Sequence, residues 1–131
     1  MIAIDSSALI AILSLEPDAQ NLLSIIARAR AGIMSAVSLQ ESSIVLAART
    51  QEAGIWQPFD AFLSEARIEI VPFDEGQACI ARMAFLKYGK GRHPAALNFG
   101  DCAAYALAKS RNLPLLFKGD DFQKTDIVSA V

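Results

Sequence analysis

Apolar residues fall in short blocks along the chain, separated by longer stretches with helical spacing. Ile2-Ala3-Ile4 is too short for a helix and is ended by Asp5-Ser6-Ser7, so it predicts a strand, followed by a helix over 8–13. Pro17 suits the first turn of a second helix with apolar positions Leu22, Leu23, Ile25 and Ile26. Gly32-Ile33-Met34-Ser35 predicts a second strand, and a long helix follows over 37–53, stopped by Gly54. A further helix is expected over 57–66, with Phe59 and Phe62 in the core and Trp56 at an interface. Residues 67–71 alternate as a strand should and end at Pro72. Asp74-Glu75-Gly76-Gln77 has the form of a capping box opening a helix that carries Ala78, Met83 and Leu86. A Gly- and Pro-containing loop over 89–94 precedes a helix over 101–111, with Asn112 as its stop. Leu115-Leu116-Phe117 predicts a fourth strand and Ile127-Val128 a possible fifth. Strands alternating with helices require crossovers, so the pattern predicts an α/β fold with a central parallel sheet of four or five strands.

Neither a repeat nor a linker interrupts the pattern, so a single domain over 1–131 is expected. A formal net charge of -2 excludes a general nucleic-acid coat, and any such contact must come from a local basic patch. Cys79 and Cys102 lie in helical patterns without metal-ligand spacing and read as free buried thiols. An acid at position 5 comes too early for a signal peptide, and no uncharged apolar run approaches the roughly 20 residues that cross a bilayer. A soluble cytoplasmic protein without membrane contact is expected.

Candidate chemistry rests on the carboxylates. In an open parallel sheet, ligands sit beyond the carboxyl ends of the strands. Asp5 follows strand one directly, Asp120 and Asp121 follow strand four, Glu41 lies on the helix after strand two, and Asp101 opens the helix leading into strand four. Each has a plainer role open to it. Asp5 and Asp101 suit helix caps, and Asp120 and Asp121 suit a turn after Gly119. Glu41 shares a helical face with Val37, Ile44, Val45 and Ala48, so it should turn inward and take a proton, pair with a cation such as an arginine, or bind a metal. Gathered together, such acids repel one another unless a hard divalent ion holds them, and oxygen-only ligands select Mg²⁺ or Mn²⁺ over zinc. The run Arg82, Lys87, Lys90, Arg92 contains no acid, and with His93 it is either a solvated face or a grip on an RNA backbone.

Four segments carry a resemblance. Ile2-Ala3-Ile4-Asp5-Ser6-Ser7-Ala8-Leu9, then Ser35 to Glu41, then Asn98-Phe99-Gly100-Asp101-Cys102-Ala103-Ala104-Tyr105, then Leu115 to Phe122 with Thr125-Asp126-Ile127, resemble in order the motifs of PIN-domain toxins of the VapC type. The resemblance covers the whole chain. It implies a three-layer α/β/α sandwich and metal-dependent endoribonuclease activity, with Asp5, Glu41 and Asp101 as acidic metal-site residues and Ser6 in support. For the fourth acid the family pattern favours Asp121, directly before Phe122, while Asp120 can take the neighbouring ligand position. It further implies a homodimer, held inactive by a VapB-type antitoxin of a type II toxin–antitoxin system.

Three rivals are weaker. A PIN scaffold that has lost catalysis and acts only as a protein- or RNA-binding module would lack acids that are all present here. A DNA-directed nuclease of the flap type would need extra helices, and a dehalogenase-like enzyme using Asp5 as nucleophile would place an acid where Ser7 stands.

Overall fold

The computed structural model describes residues 1–131. Four strands, β1 (Ile2–Ile4), β2 (Gly32–Ser35), β3 (Ile68–Val71) and β4 (Leu115–Leu116), form one sheet in the order β3-β2-β1-β4, all parallel. Six helices surround it: α1 (Ser6–Leu13), α2 (Ala19–Ala29), α3 (Ala36–Ala48), α4 (Gln57–Glu65), α5 (Glu75–Tyr88) and α6 (Phe99–Arg111). Both faces of the sheet are covered, which is why its strands read as apolar runs. Ile2, Ile4, Met34, Ile68 and Leu116 face a core shared with α1, α2 and α4, where Phe59 is buried. Ala3, Ile33, Val71 and Leu115 face a second core made with α5 and α6. The three-layer α/β/α sandwich follows from these two cores.

Several boundaries differ from expectation. α1 begins at Ser6, not Ala8, because Asp5 caps it and draws both serines into the first turn. α3 stops at Ala48 rather than continuing to residue 53: the Thr50 hydroxyl accepts the Glu52 N–H (3.1 Å), a local turn that competes with the helix, and Gly54 lies beyond in a left-handed turn. α6 begins at Phe99 with Asn98 as its cap, not at Asp101. Phe117 lies outside β4, and the expected fifth strand is absent. Only Ser129 bridges to Leu115, since the tail leaves the sheet edge after one pairing. At α5 the Asp74 cap is present, but the Gln77 side chain donates to the Pro72 carbonyl (3.0 Å) instead of closing a capping box. Trp56 is half-exposed, and its indole N–H donates to the Ser43 carbonyl.

β1 is the point where strand order reverses: the chain runs outward through β2 and β3, then returns to the other side of β1 as β4. Such a switch opens a crevice beyond the carboxyl ends of the two flanking strands. Asp5 is the first residue past β1, and its backbone N–H donates to the Leu116 carbonyl on β4 (2.9 Å).

Candidate active site

The crevice is built from short, local devices. Asp5 caps α1, and its Oδ2 accepts both the Ser7 backbone N–H (3.0 Å) and the Ser7 hydroxyl (2.6 Å). Its Oδ1 is buried without any hydrogen-bond partner. Glu41, from α3, accepts the hydroxyl of buried Ser6 on Oε1 (2.5 Å). Asp101, in the first turn of α6, closes a capping box: the Asp101 N–H donates to Asn98 Oδ1 (2.9 Å), and the Asn98 N–H donates to Asp101 Oδ2 (3.0 Å). Capping therefore occupies only Oδ2 of Asp101 and leaves Oδ1 without a hydrogen bond. Each of the three acids commits one oxygen to the protein and leaves the other without a hydrogen bond.

Glu41 corrects one expectation. The buried side of α3 carries Ser38 and Ser42, while Val37, Glu41, Ile44 and Val45 line an open groove of about 350 Å³ with Phe99 and Gly100. No cation pairs with Glu41, so the arginine alternative is set aside. All three ion pairs, Lys109–Asp126 and Lys118 with Glu16 and Asp18, lie elsewhere. Glu41 reaches α6 because Gly100 has no side chain there. A Cβ on Gly100 would lie 2.3 Å from Glu41 Oε2.

The acids act on one another. Burial, reinforced by the charges of Asp101 and Glu41 and opposed by the two Ser7 hydrogen bonds, pushes the Asp5 carboxyl up to about 7. Burial likewise raises Asp101, opposed by the Asn98 hydrogen bond and reinforced by Glu41 and Asp121. Asp121 follows Gly119, whose φ of +102° suits glycine, and is anchored by buried Phe122 packed on Phe117 (5.2 Å between centroids). Asp121 is exposed, as is Asp120, which exerts no comparable push on Asp101.

No three of the acidic side chains converge as they stand into a ready ion cage. The donor set nonetheless fits a hard divalent ion: it is all oxygen, it holds more acids than the protein neutralises, and it includes the orphaned Asp5 Oδ1. An isolated buried carboxylate oxygen is costly unless a proton or a cation satisfies it.

The basic candidates separate. Lys90 and Arg92 are exposed on a loop folded against the start of α6, where the Lys90 N–H donates to the Leu97 carbonyl (2.9 Å). Half-buried His93 is engaged in folding that loop: its Nδ1 accepts the Ala95 N–H (3.0 Å), and its ring meets Tyr88 edge-on. Lys87 lies over the Tyr88 ring and acts on Asp126, in a neighbourhood with Tyr105 and Lys109. Both cysteines are free thiols, Cys102 buried and Cys79 half-buried. Ser7, Asn98 and Gly100 were not singled out from sequence. The Asn98-x-x-Asp101 spacing is itself a capping-box signal that could have found one of them.

Acids delivered from distant chain positions to the switch point of a parallel sheet define an α/β domain with an acidic cleft. The chain belongs to the PIN-domain family, whose sequence pattern matches residues 2–128, and within it to the VapC group. It is 46% identical over 126 residues to ribonuclease VapC30 of Mycobacterium tuberculosis, covering 96% of this chain and 95% of the relative. It is 47% identical over 126 residues to ribonuclease VapC of Mycolicibacterium smegmatis, covering 96% and 97%. The fold matches M. tuberculosis VapC20, described as a sarcin–ricin loop cleaving toxin, with a TM-score of 0.76 at 15% identity over 98% of this chain and 97% of that one. It also matches VapBC2 from Rickettsia felis bound to a promoter DNA fragment, with a TM-score of 0.75 at 17% identity over 98% and 96%.

Proposed function

We propose that the chain is a metal-dependent endoribonuclease, the toxin of a VapBC-type pair, that hydrolyses RNA phosphodiester bonds with water. In this reading Asp5, Glu41 and Asp101 hold Mg²⁺ or Mn²⁺, and Asp121, rather than Asp120, is the fourth acid. The observation that carries it is the unsatisfied inner oxygen of Asp5, buried at the switch point beside two further acids that no cation neutralises. The push of Asp121 on Asp101 supports its choice as the fourth acid.

When bound, the ion supplies Lewis acidity at a phosphoryl oxygen and an activated water. The chain's residues supply the geometry. Ser6 fixes the Glu41 carboxylate, the Asn98 N–H fixes Asp101, and Ser7 fixes Asp5, so each acid keeps its second oxygen free of protein hydrogen bonds. The charge the acids place on one another raises their affinity for positive charge, so a divalent ion and protons compete for the site. Exposed Lys90 and Arg92 contact the RNA backbone, whereas Lys87 and His93, engaged elsewhere, contribute less.

A VapB-type antitoxin and a homodimer complete the reading, and the protein acts in the cytoplasm. The exposed apolar side chains Ile44, Met83, Leu86 and Phe99 support a chain that works with partners. No helix is long and apolar enough to cross a membrane.

The test is RNA cleavage by the purified chain in Mg²⁺ or Mn²⁺, in EDTA, and by Asp5→Asn. Cleavage that needs the ion and is lost in the variant is expected. Full cleavage by the variant would sink the site.

A further inference from the structure

Ser7 sits where three parts of the site meet. Its hydroxyl donates to Asp5 Oδ2 (2.6 Å), and its oxygen accepts the backbone N–H of Lys118 (3.0 Å). Lys118 is two residues past β4, at the start of the loop that carries Asp120 and Asp121. β1 and β4 are paired only through Ala3 with Leu115 and Ile4 with Leu116. Beyond those pairings the last backbone contact is the Asp5 N–H to Leu116, and after it the strands part. The Ser7 hydroxyl spans that gap.

A hydroxyl has one hydrogen to give and lone pairs to accept with. Because the Lys118 N–H can only donate, the Ser7 oxygen accepts there and its single hydrogen is left for Asp5. The carboxylate then receives two donors on Oδ2, the Ser7 N–H and the Ser7 O–H, and none on Oδ1. One side chain thus fixes which Asp5 oxygen is spent on the protein and ties that choice to the path of the neighbouring loop.

We propose that Ser7 is a positioning residue whose hydroxyl couples the orientation of Asp5 to the placement of the loop bearing Asp121. Cation binding at Asp5 and ordering of that loop are then a single event. This rests on the divalent-ion reading of the site. Removing a group that orients a ligand typically costs 10–100-fold in affinity.

The experiment compares wild type with Ser7→Ala, Ser7→Thr and Ser7→Cys. Mn²⁺ binding is measured by titration calorimetry, and exchange of the Lys118 amide by NMR, without ion and with Mg²⁺. Expected are Mn²⁺ binding weakened about 10-fold or more in Ser7→Ala, with faster exchange at Lys118 that Mg²⁺ no longer slows. RNA cleavage should lose kcat at nearly unchanged KM. Ser7→Thr, which keeps the hydroxyl, should recover most of the binding and the protection, and Ser7→Cys, a weak donor, should fall between. If Ser7→Ala does not fold, the contrast between threonine and cysteine carries the test. Wild-type Mn²⁺ affinity and Lys118 protection in Ser7→Ala, or a threonine variant no better than alanine, overturns the coupling while leaving the metal site standing. A wild-type chain that binds no Mn²⁺ overturns the metal reading itself, and this proposal with it.

Discussion

Asp5→Asn should make the protein more stable as it makes it inactive, and the gain should grow with pH. Asp5 is 2% exposed, and its carboxyl is pushed from 3.8 up to about 7. Between those values the folded chain holds a proton that the unfolded chain has lost. Stability from this group is therefore fully present below about pH 4 and is lost as pH rises to about 7. The shift of 3.2 units, 7 minus 3.8, corresponds to at most about 4 kcal/mol at about 1.36 kcal/mol per unit. From pH 5 to pH 7 the window is 2 units, or at most about 2.7 kcal/mol. Asparagine keeps the oxygen that caps α1 and carries no charge, so it escapes this cost. Urea denaturation of both proteins in EDTA at pH 5 and pH 8 reads the effect directly. The variant's advantage should widen by about 1.5–3 kcal/mol between the two. A divalent ion should reverse the ranking, because binding to the folded state stabilises wild type alone. An advantage that stays constant within about 0.5 kcal/mol across that range would refute the reasoning, since Asp5 would then be ionised in both states or in neither.

Three further outcomes are expected. Gly100→Ala places a Cβ 2.3 Å from Glu41 Oε2, so the carboxylate must swing away. Cleavage should fall at least about 10-fold, while thermal unfolding shows stability unchanged or raised by about 0.5–1 kcal/mol, as expected for alanine over glycine in a helix. Tyr105→Phe removes a hydroxyl that donates to Asp126 (2.7 Å) on the face carrying Lys109, and should cost about 1–2 kcal/mol in urea denaturation with cleavage unchanged. The double variant Lys90→Gln, Arg92→Gln should raise KM for RNA and reduce the salt dependence of binding by about two units of slope, read from affinity at several salt concentrations. An unchanged slope would remove that loop from the RNA interface.

The strands were legible because they are buried on both faces and so stand out as apolar runs between helical patterns, as with Ile2-Ala3-Ile4 and Leu115-Leu116. Asp5 was legible because strand one ends on it. Side-chain chemistry that ends or starts an element was harder to read. Thr50, four residues before the glycine that marks the expected end of α3, closes the turn that stops it, and Asn98 caps α6 three residues before the acid expected at its start. α3 misled through its apolar spacing. The residues that bury are Ser38 and Ser42, because small side chains let the helix pack closely, and the larger apolar ones line a groove. The split of each carboxylate into one fixed and one free oxygen depends on partners 2 to 35 residues away, and no spacing rule reveals it.

The pairing of β1 with β4 joins Ala3 to Leu115 and Ile4 to Leu116 across almost the whole length of the chain, through two residues of edge strand. Closing so long a loop is entropically expensive and slow relative to forming the local helices. Asp5 and Asp121 lie just beyond opposite sides of that seam, so Asp121 joins the other acids only when this distant contact has closed. A chain that has formed every helix but not this seam carries all the acids yet lacks the fourth one beside Asp5. In a nuclease of this design, the onset of cleavage during refolding is a clock for the completion of the sheet.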